Sequence, residues 1–430
     1  MIQRARSAVA GPSGPVSDKT AGKTSGKTTS KSTSKSTSKA VGKPLDQTPL
    51  DWLGGMSPRQ FMAEYWQRKP LLVRQAIPGF VPPVSRDDVF ALAAREDVES
   101  RCVESERPDG QPWSLRRGPF AKRALPSVRQ PGWSLLVQGV DTLHDEVAEL
   151  KQALNFIPSA RLDDVMISYA TDGGGVGPHF DSYDVFLLQA QGQRRWRIGP
   201  QRDLRLREDL PLKILSHFKP EAEWVLEPGD LLYLPPRYAH DGIAIGECMT
   251  WSIGFRAPRQ DELAQELLAR LADRAADELA TTLYQDAGQV ATSKPAQMPT
   301  NLQSFARGAV EALLQQPRLL DQCLGEYLTE PKPQVWFDAP ARAQRLGRRD
   351  GVKLDRRSQM LYDRSHIYLN GESWRAAGDD ARWMRRLADA RELSAAELSQ
   401  TSEAVRQLLS DWLLAGWLHR VSSTTGMTQR

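Results

Sequence analysis

Six histidines occur in the chain, and two of them stand in a setting suited to metal chemistry. His179 and Asp181 lie two residues apart in Pro178-His179-Phe180-Asp181. On an extended segment, side chains at i and i+2 leave the same face, so both reach one ion. His240 follows a strand-like run that ends in Leu234-Pro235-Pro236. Two imidazoles and one carboxylate form the facial ligand set of non-haem Fe(II) oxygenases, which keeps positions open for a cosubstrate and O₂. An HxD pair also arises on surfaces or as a hydrogen-bonded core pair. Here the flanks favour a metal: Gly173 to Gly177 form a loop that admits close backbone approach, and strand patterns bracket it. A carboxylate ligand with open positions suits iron better than zinc. His144 falls on a predicted helix surface, His217 in a loop that can line a cavity mouth, and His366 and His419 are remote.

Arg194 adds an independent signal. Alternation along Gln193-Arg194-Arg195-Trp196-Arg197-Ile198 puts it on the face of Trp196 and Ile198, hence inward. A buried guanidinium needs an anion. A dicarboxylate cosubstrate such as 2-oxoglutarate supplies one through a bidentate pair; an internal Asp or Glu is the other source. Ser168, on a predicted strand with Met166 and Ala170, can add a hydroxyl to that cosubstrate. The glycine run is not a dinucleotide fingerprint, because Gly175-Val176-Gly177-Pro178-His179-Phe180 lacks the third glycine and leads into strand patterning. No GxxxxGK[ST], HExxH or GxSxG occurs.

Strands must hold these groups. From about 160 to 257, closely spaced strand patterns with Gly/Pro punctuation predict an antiparallel barrel or sandwich. The expected strands are 164–171, 184–190, 193–199, 231–234 and 248–256, with Pro228-Gly229-Asp230 as a tight corner turn. Upstream, Ser57-Pro58-Arg59-Gln60 reads as a capping box opening a helix through Trp66. Pro70 ends it before a short strand, Leu71-Leu72-Val73. After Pro258 an apolar stripe of Leu263, Leu267, Leu268 and Leu271 predicts helix, continuing in segments to about 330 with a break near Pro295. The C-terminal part is mixed: strands at Met360-Leu361-Tyr362 and His366-Ile367-Tyr368-Leu369, then a capping box Ser394-Ala395-Ala396-Glu397 opening a helix towards Trp417.

Composition sets the class. With 430 residues, 40% hydrophobic and 12 Trp, the body can bury a core. No apolar run approaches the ~18 residues of a membrane span, so no membrane association is expected. Cys102, Cys248 and Cys323 form no CxxC, which excludes a disulfide framework and fits a reducing, cytoplasmic setting. Residues 1–47 are a low-complexity Lys/Ser/Thr/Gly tail, expected to be disordered. Residues 1–45 hold Arg4, Arg6 and seven lysines from Lys19 to Lys43 against Asp18 alone. That balance of +8 leaves −4 for the remainder of a chain whose total is +4. A weak electrostatic contact of the tail with nucleic acid is compatible with it.

In order and spacing, GGGVGPHFDSYDVFLLQAQGQRRWRIG, LEPGDLLYLPPRYAHDG and WSIGFRAP, with the lead-in FMAEYWQRKPLLVRQA, resemble the bacterial JmjC-type ribosomal oxygenases of the cupin superfamily. The resemblance runs from about residue 50 to 258. It implies a mainly β catalytic domain, a double-stranded β-helix barrel over 48–257, then a helical dimerisation region over 258–330 and a winged-helix-like domain over 331–425. It also implies that His179, Asp181 and His240 hold Fe(II), that Arg194 anchors 2-oxoglutarate with Ser168 as a further contact, and that Asp172 touches substrate; a turn-forming Asp beside glycine is the other reading of Asp172. The chemistry would be carried by the iron centre. The implied activity is hydroxylation of an arginine β-carbon in large-subunit ribosomal protein sixteen by a homodimer. Two other readings stand beside it. One is a 2-oxoglutarate oxygenase of small molecules, against which the C-terminal extension speaks. The other is a nucleic-acid-binding regulator with a vestigial cupin, motivated by the tail and by the run Arg342, Arg345, Arg348, Arg349, Lys353, Arg356, Arg357; the intact HxD…H set speaks against it.

Overall fold

Ser57 starts the first helix, α1 (Pro58–Glu64), by accepting the Gln60 N–H at 3.2 Å, with Pro58 at the first helical position. The expected capping box is only half made. The Gln60 amide donates to Glu64 instead of returning to Ser57, and the helix stops short of Trp66. A reciprocal box, Ser85 with Asp88, opens α2 (Arg86–Ala93) and went unread. The computed structural model of the chain describes residues 3–4, 45–105, 113–340, 346–347 and 349–422. The lysines Lys19 to Lys43 of the tail lie outside the described residues.

A curled nine-stranded antiparallel sheet forms the body. Its strands are β1 (Leu71–Val73), β2 (Ser100–Glu104), β3 (Ser114–Arg117), β4 (Trp133–Val137), β5 (Leu162–Ala170), β6 (Val185–Pro200), β7 (Ala222–Leu226), β8 (Leu231–Leu234) and β9 (Tyr238–Phe255). They pair in the order β1-β8-β6-β9-β5-β4-β2-β3, with β7 on β6. Alternation sorts the two faces. Val165, Ile167 and Tyr169 of β5, with Met249, Trp251 and Ile253 of β9, pack on Phe61 and Val89 of the helices. Met166 and Ser168, with Thr250 and Ser252, leave the opposite face and line a cavity.

Two expected strands, 184–190 and 193–199, are one bent strand. Gly192, between the two expected strands, is a bend inside a continuous ladder, at φ 63°. A Cβ there would lie 2.2 Å from the Glu247 carbonyl, so only glycine lets β6 and β9 cross so closely. The partner strand answers with a register shift between Ile245 and Met249. Together these bends fold one ladder over the other and enclose the cavity.

Beyond Phe255 come α4 (Gln260–Glu278), α5 (Thr300–Leu314) and α6 (Pro317–Thr329), joined at Leu271, Leu313, Leu319 and Cys323. The C-terminal part holds β10 (Asp350–Leu354), a meander of β11 (Met360–Tyr362), β12 (His366–Leu369) and β13 (Glu372–Arg375), then α7 (Gly378–Ala390), β14 (Glu392–Leu393), α8 (Ala395–Leu398), α9 (Glu403–Leu414) and β15 (Leu418–Ser422). The Ser394–Glu397 box is reciprocal, yet its helix lasts one turn. Thr401 Oγ1 donates back to the Leu398 carbonyl and Ser402 caps a new helix, so the expected single helix towards Trp417 is two.

Among the described residues of the basic run considered for nucleic acid, three cations are paired inside the protein. Lys353 pairs with Glu149 at 3.2 Å, Arg356 with Asp145 at 2.9 Å and with the Thr142 carbonyl, and Arg357 with Asp355. The Lys353 and Arg356 contacts seat the C-terminal part on α3 (Asp145–Gln152) of the body, while the Arg357 pair lies within the C-terminal part. Arg342, Arg345 and Arg348 lie outside the described residues.

Candidate metal centre

His179, Asp181 and His240 meet at the mouth of the curled sheet. One ligand atom from each lies within 4.8 Å of the others. The two histidines are joined through their backbones: His179 N–H donates to the His240 carbonyl at 2.9 Å, and His240 N–H returns to His179 at 2.8 Å. This isolated bridge places the rings 4.2 Å apart, centroid to centroid. Asp181 joins because its carbonyl accepts the Arg237 N–H at 2.7 Å, which holds the segment extended beside β9. The His240 Nε2 lies 3.7 Å from the Asp181 carboxylate. His240 is thus the third residue of a long strand, whereas the sequence placed it in a loop after one.

Each imidazole is oriented from behind. Nδ1 of His179 faces the Gly177 carbonyl at 2.8 Å and Nδ1 of His240 faces the Tyr238 carbonyl at 3.0 Å. Donating Nδ1–H to those carbonyls commits the tautomer and leaves Nε2 as a lone-pair donor. Burial, with His179 alongside, lowers the His240 pKa, so this ring is neutral as a ligand must be. The glycine run allows the approach: a Cβ on Gly175 would meet the Gly242 carbonyl at 2.6 Å.

Behind the cluster lies a cavity of about 440 Å³. Arg194 enters it from β6, only 5% exposed, as alternation predicted. Its Nε and Nη2 are buried and have no hydrogen-bond partner, and no acidic side chain pairs with it among the described residues. Asp164 and Asp181 line the same cavity, but neither pairs with Arg194, so the internal-carboxylate alternative finds no pairing among the described residues. A donor set of two nitrogens and a carboxylate suits Fe(II), and an unpartnered inward guanidinium suits a dicarboxylate. Both groups fit the residues present.

Ser168 lines the same cavity, and its hydroxyl donates to the Thr250 carbonyl at 3.3 Å. Asp172 has the contact that its turn-forming reading expects. It is exposed, does not line the cavity, and its carboxylate accepts the Gly246 N–H at 2.8 Å, which makes it a turn-holding residue. His217 is also away from the cavity, 3.6 Å from Asp203 on an exposed loop. Nor do His144, His366 and His419 line it.

Other cavity residues went unread. Tyr183 stands two positions after Asp181, and burial, then the Asp181 carboxylate, raises its phenol pKa. Asp164 accepts from Gln138 and the Gly139 N–H, with its pKa raised by burial. Continuing the alternation Ser168, Met166, Asp164 along β5 would have found the last of these.

A curled antiparallel sheet with two histidines and a carboxylate at its mouth defines a cupin-type metalloenzyme core. Residues 149–263 match the model of the JmjC domain, and residues 312–419 match the ROXA-like winged helix. The chain is 32% identical over 328 residues to the ribosomal protein uL16 3-hydroxylase of Escherichia coli, covering 73% of this chain and 84% of that one. It is 35% identical over 218 residues to a probable ribosomal oxygenase of Haemophilus influenzae, across 48% and 52% of the two chains. The X-ray structure of Escherichia coli YcfD superposes with a TM-score of 0.73 at 28% identity, covering 84% of this chain and 98% of that one. A second YcfD structure, in complex with cobalt and 2-oxoglutarate, gives 0.68 at 28% identity over 84% and 97%. The chain belongs to the bacterial JmjC ribosomal oxygenases.

Proposed function

We propose that this chain is an Fe(II)- and 2-oxoglutarate-dependent hydroxylase acting on an arginine β-carbon of large-subunit ribosomal protein sixteen. The observation that carries the cosubstrate is Arg194, a buried guanidinium with unpartnered nitrogens facing the cavity that also holds His179, Asp181 and His240. The acceptor rests on similarity to a relative described as a uL16 3-hydroxylase, since position 3 of an amino acid is its β-carbon.

Nε2 of His179, Nε2 of His240 and the Asp181 carboxylate would hold the iron. When bound, iron and 2-oxoglutarate supply oxidation of a C–H bond by O₂, with succinate and CO₂ as co-products. Arg194 orients the distal carboxylate of the cosubstrate, and Ser168 lines the same cavity. Trp196, with Leu187 and Val185, keeps that part of the cavity apolar, which strengthens the Arg194 pair by excluding water. The acceptor side chain enters past Tyr183.

Mass spectrometry of ribosomal proteins from cells with and without this gene tests the reading. The expected result is one added oxygen atom on an arginine of protein sixteen, present only with the gene. An unmodified protein sixteen in both would overturn it.

We place the oxygenase domain at 48–257, a helical region at 258–330 and the winged-helix-like domain at 331–425. The helical region is the proposed dimer surface: Leu268, Leu302, Phe305 and Val310 are exposed on α4 and α5. Light scattering is expected to give twice the chain mass, and Phe305→Asp with Val310→Asp to give a monomer. A monomeric unsubstituted chain at micromolar concentration would refute the assignment.

A further inference from the structure

We infer that the outer wall of the cavity continues into an RNA-backbone contact along the edge strand β3. This rests on the ribosomal acceptor proposed above and names what else the enzyme meets when it engages that acceptor. In register, Arg117 of β3 lies directly opposite Arg101 of β2. Val103 and Leu115 are the next pair but one on that ladder, after Cys102 and Arg116, so the four side chains share one face. Arg101, Val103 and Leu115 line the cavity, and Arg117 extends the same face outward to solvent.

Like charges directly opposite in an antiparallel pair are destabilising. Arg101 is held by the Gln138 side-chain carbonyl at 3.2 Å, not by an acid. Arg117 has no ion-pair partner among the described residues. The pair is therefore kept against its own repulsion.

The chain segment that carries Arg117 has charges of one sign only. From Ser114 to Val140 the chain carries Arg116, Arg117, Lys122, Arg123 and Arg129 and no carboxylate. Arg116 is consumed by Glu104 at 3.7 Å and the Ala124 carbonyl at 2.7 Å. Arg117, Lys122, Arg123 and Arg129 are exposed and enter no ion pair among the described residues. The segment is anchored beneath them by buried Phe120 and Trp133, so the cations are presented on a fixed surface. Edge strands often carry a charge against self-pairing, but that role does not require in-register guanidiniums or a segment free of acids.

Exposed cations that enter no ion pair among the described residues, carried on one segment, suit the phosphates of a nucleic-acid backbone. A basic ribosomal protein would be repelled by it. The RNA that such a protein binds would be attracted, and would lie beside the cavity mouth while the acceptor side chain enters.

Fluorescence anisotropy of a labelled single-stranded RNA oligonucleotide, with the full chain at several salt concentrations, tests this. The variant carries Arg117→Ala, Lys122→Ala, Arg123→Ala and Arg129→Ala; none of these lines the cavity, and the lysine-rich tail is present in both proteins. The expected result is about tenfold or more loss of RNA affinity, with the salt slope reduced by about 3, at ~0.7 per phosphate contact. Hydroxylation of a free peptide acceptor should be unchanged, while hydroxylation of the acceptor bound to RNA falls. Unchanged affinity and slope would overturn the contact. So would polyglutamate competing as well as RNA at equal charge, which would indicate an acidic protein partner. An equal loss on the free peptide would assign these cations to the peptide instead. RNA binding is read without turnover, so its failure is separable from failure of the hydroxylase reading.

Discussion

Asp181→Ala is expected to abolish hydroxylation, with turnover falling at least about a thousandfold, because a metal's charge stabilisation is worth several kcal/mol. The substitution removes the one anionic ligand and leaves two neutral imidazoles to hold a divalent ion. Its specificity as a test comes from the backbone. The Asp181 carbonyl accepts the Arg237 N–H, and the His179–His240 bridge is also made of main-chain hydrogen bonds. Neither depends on the carboxylate, so the mouth should keep its shape. His179→Ala is expected to behave alike for the same reason. Circular dichroism should be unchanged, and calorimetric titration with Co(II) or Fe(II) should show binding lost in step with turnover. Full activity in Asp181→Ala would sink the metal assignment, whatever the similarity to known oxygenases.

Arg194→Ala is expected to act on the cosubstrate. Removing one partner of a buried charged hydrogen-bonded pair costs about 2–5 kcal/mol, so the KM for 2-oxoglutarate should rise roughly 30-fold to several-thousand-fold. The protein itself should lose little stability. The Arg194 Nε and Nη2 have no partner without ligand, so the substitution breaks no hydrogen bond at those atoms and removes a desolvated charge. Its thermal midpoint should match or exceed that of the unsubstituted chain, while the upward shift produced by added 2-oxoglutarate disappears. Arg194→Lys should recover part of the affinity, as lysine keeps the charge but not the planar fork. A variant with an unchanged 2-oxoglutarate requirement would remove Arg194 from the cosubstrate site.

Much of the site was legible from side-chain period. The i, i+2 spacing of His179 and Asp181, and the alternation that turned Arg194 inward with Trp196, need only the pleat of an extended chain. The two readings of Asp172 could not be separated in the sequence, because its neighbours, the glycine run, lead to the metal, whereas its carboxylate accepts from Gly246 of a distant strand. The basic run after Arg342 misled for the same reason. Charge is visible in a sequence, but Asp145 and Glu149, which neutralise Arg356 and Lys353, are about two hundred positions away.

Gly192 shows the limit for the fold. As punctuation it signals a turn or a bulge, and only the approach of Glu247 to its Cα decides that β6 continues through it. Capping behaves similarly: Ser394 and Glu397 specify where a helix starts, while its end is set by Thr401 and Ser402 competing for the backbone. Local chemistry, meaning side-chain alternation, metal-ligand types and helix starts, was therefore determined by the sequence itself, since each depends on residues a few positions apart. Closure of the sheet, the meeting of His240 with His179 and the lack of an ion-pair partner for Arg194 among the described residues were decided by tertiary structure. Those are relations between residues far apart in the chain, and only the bent ladder of β6 and β9 brings them within reach.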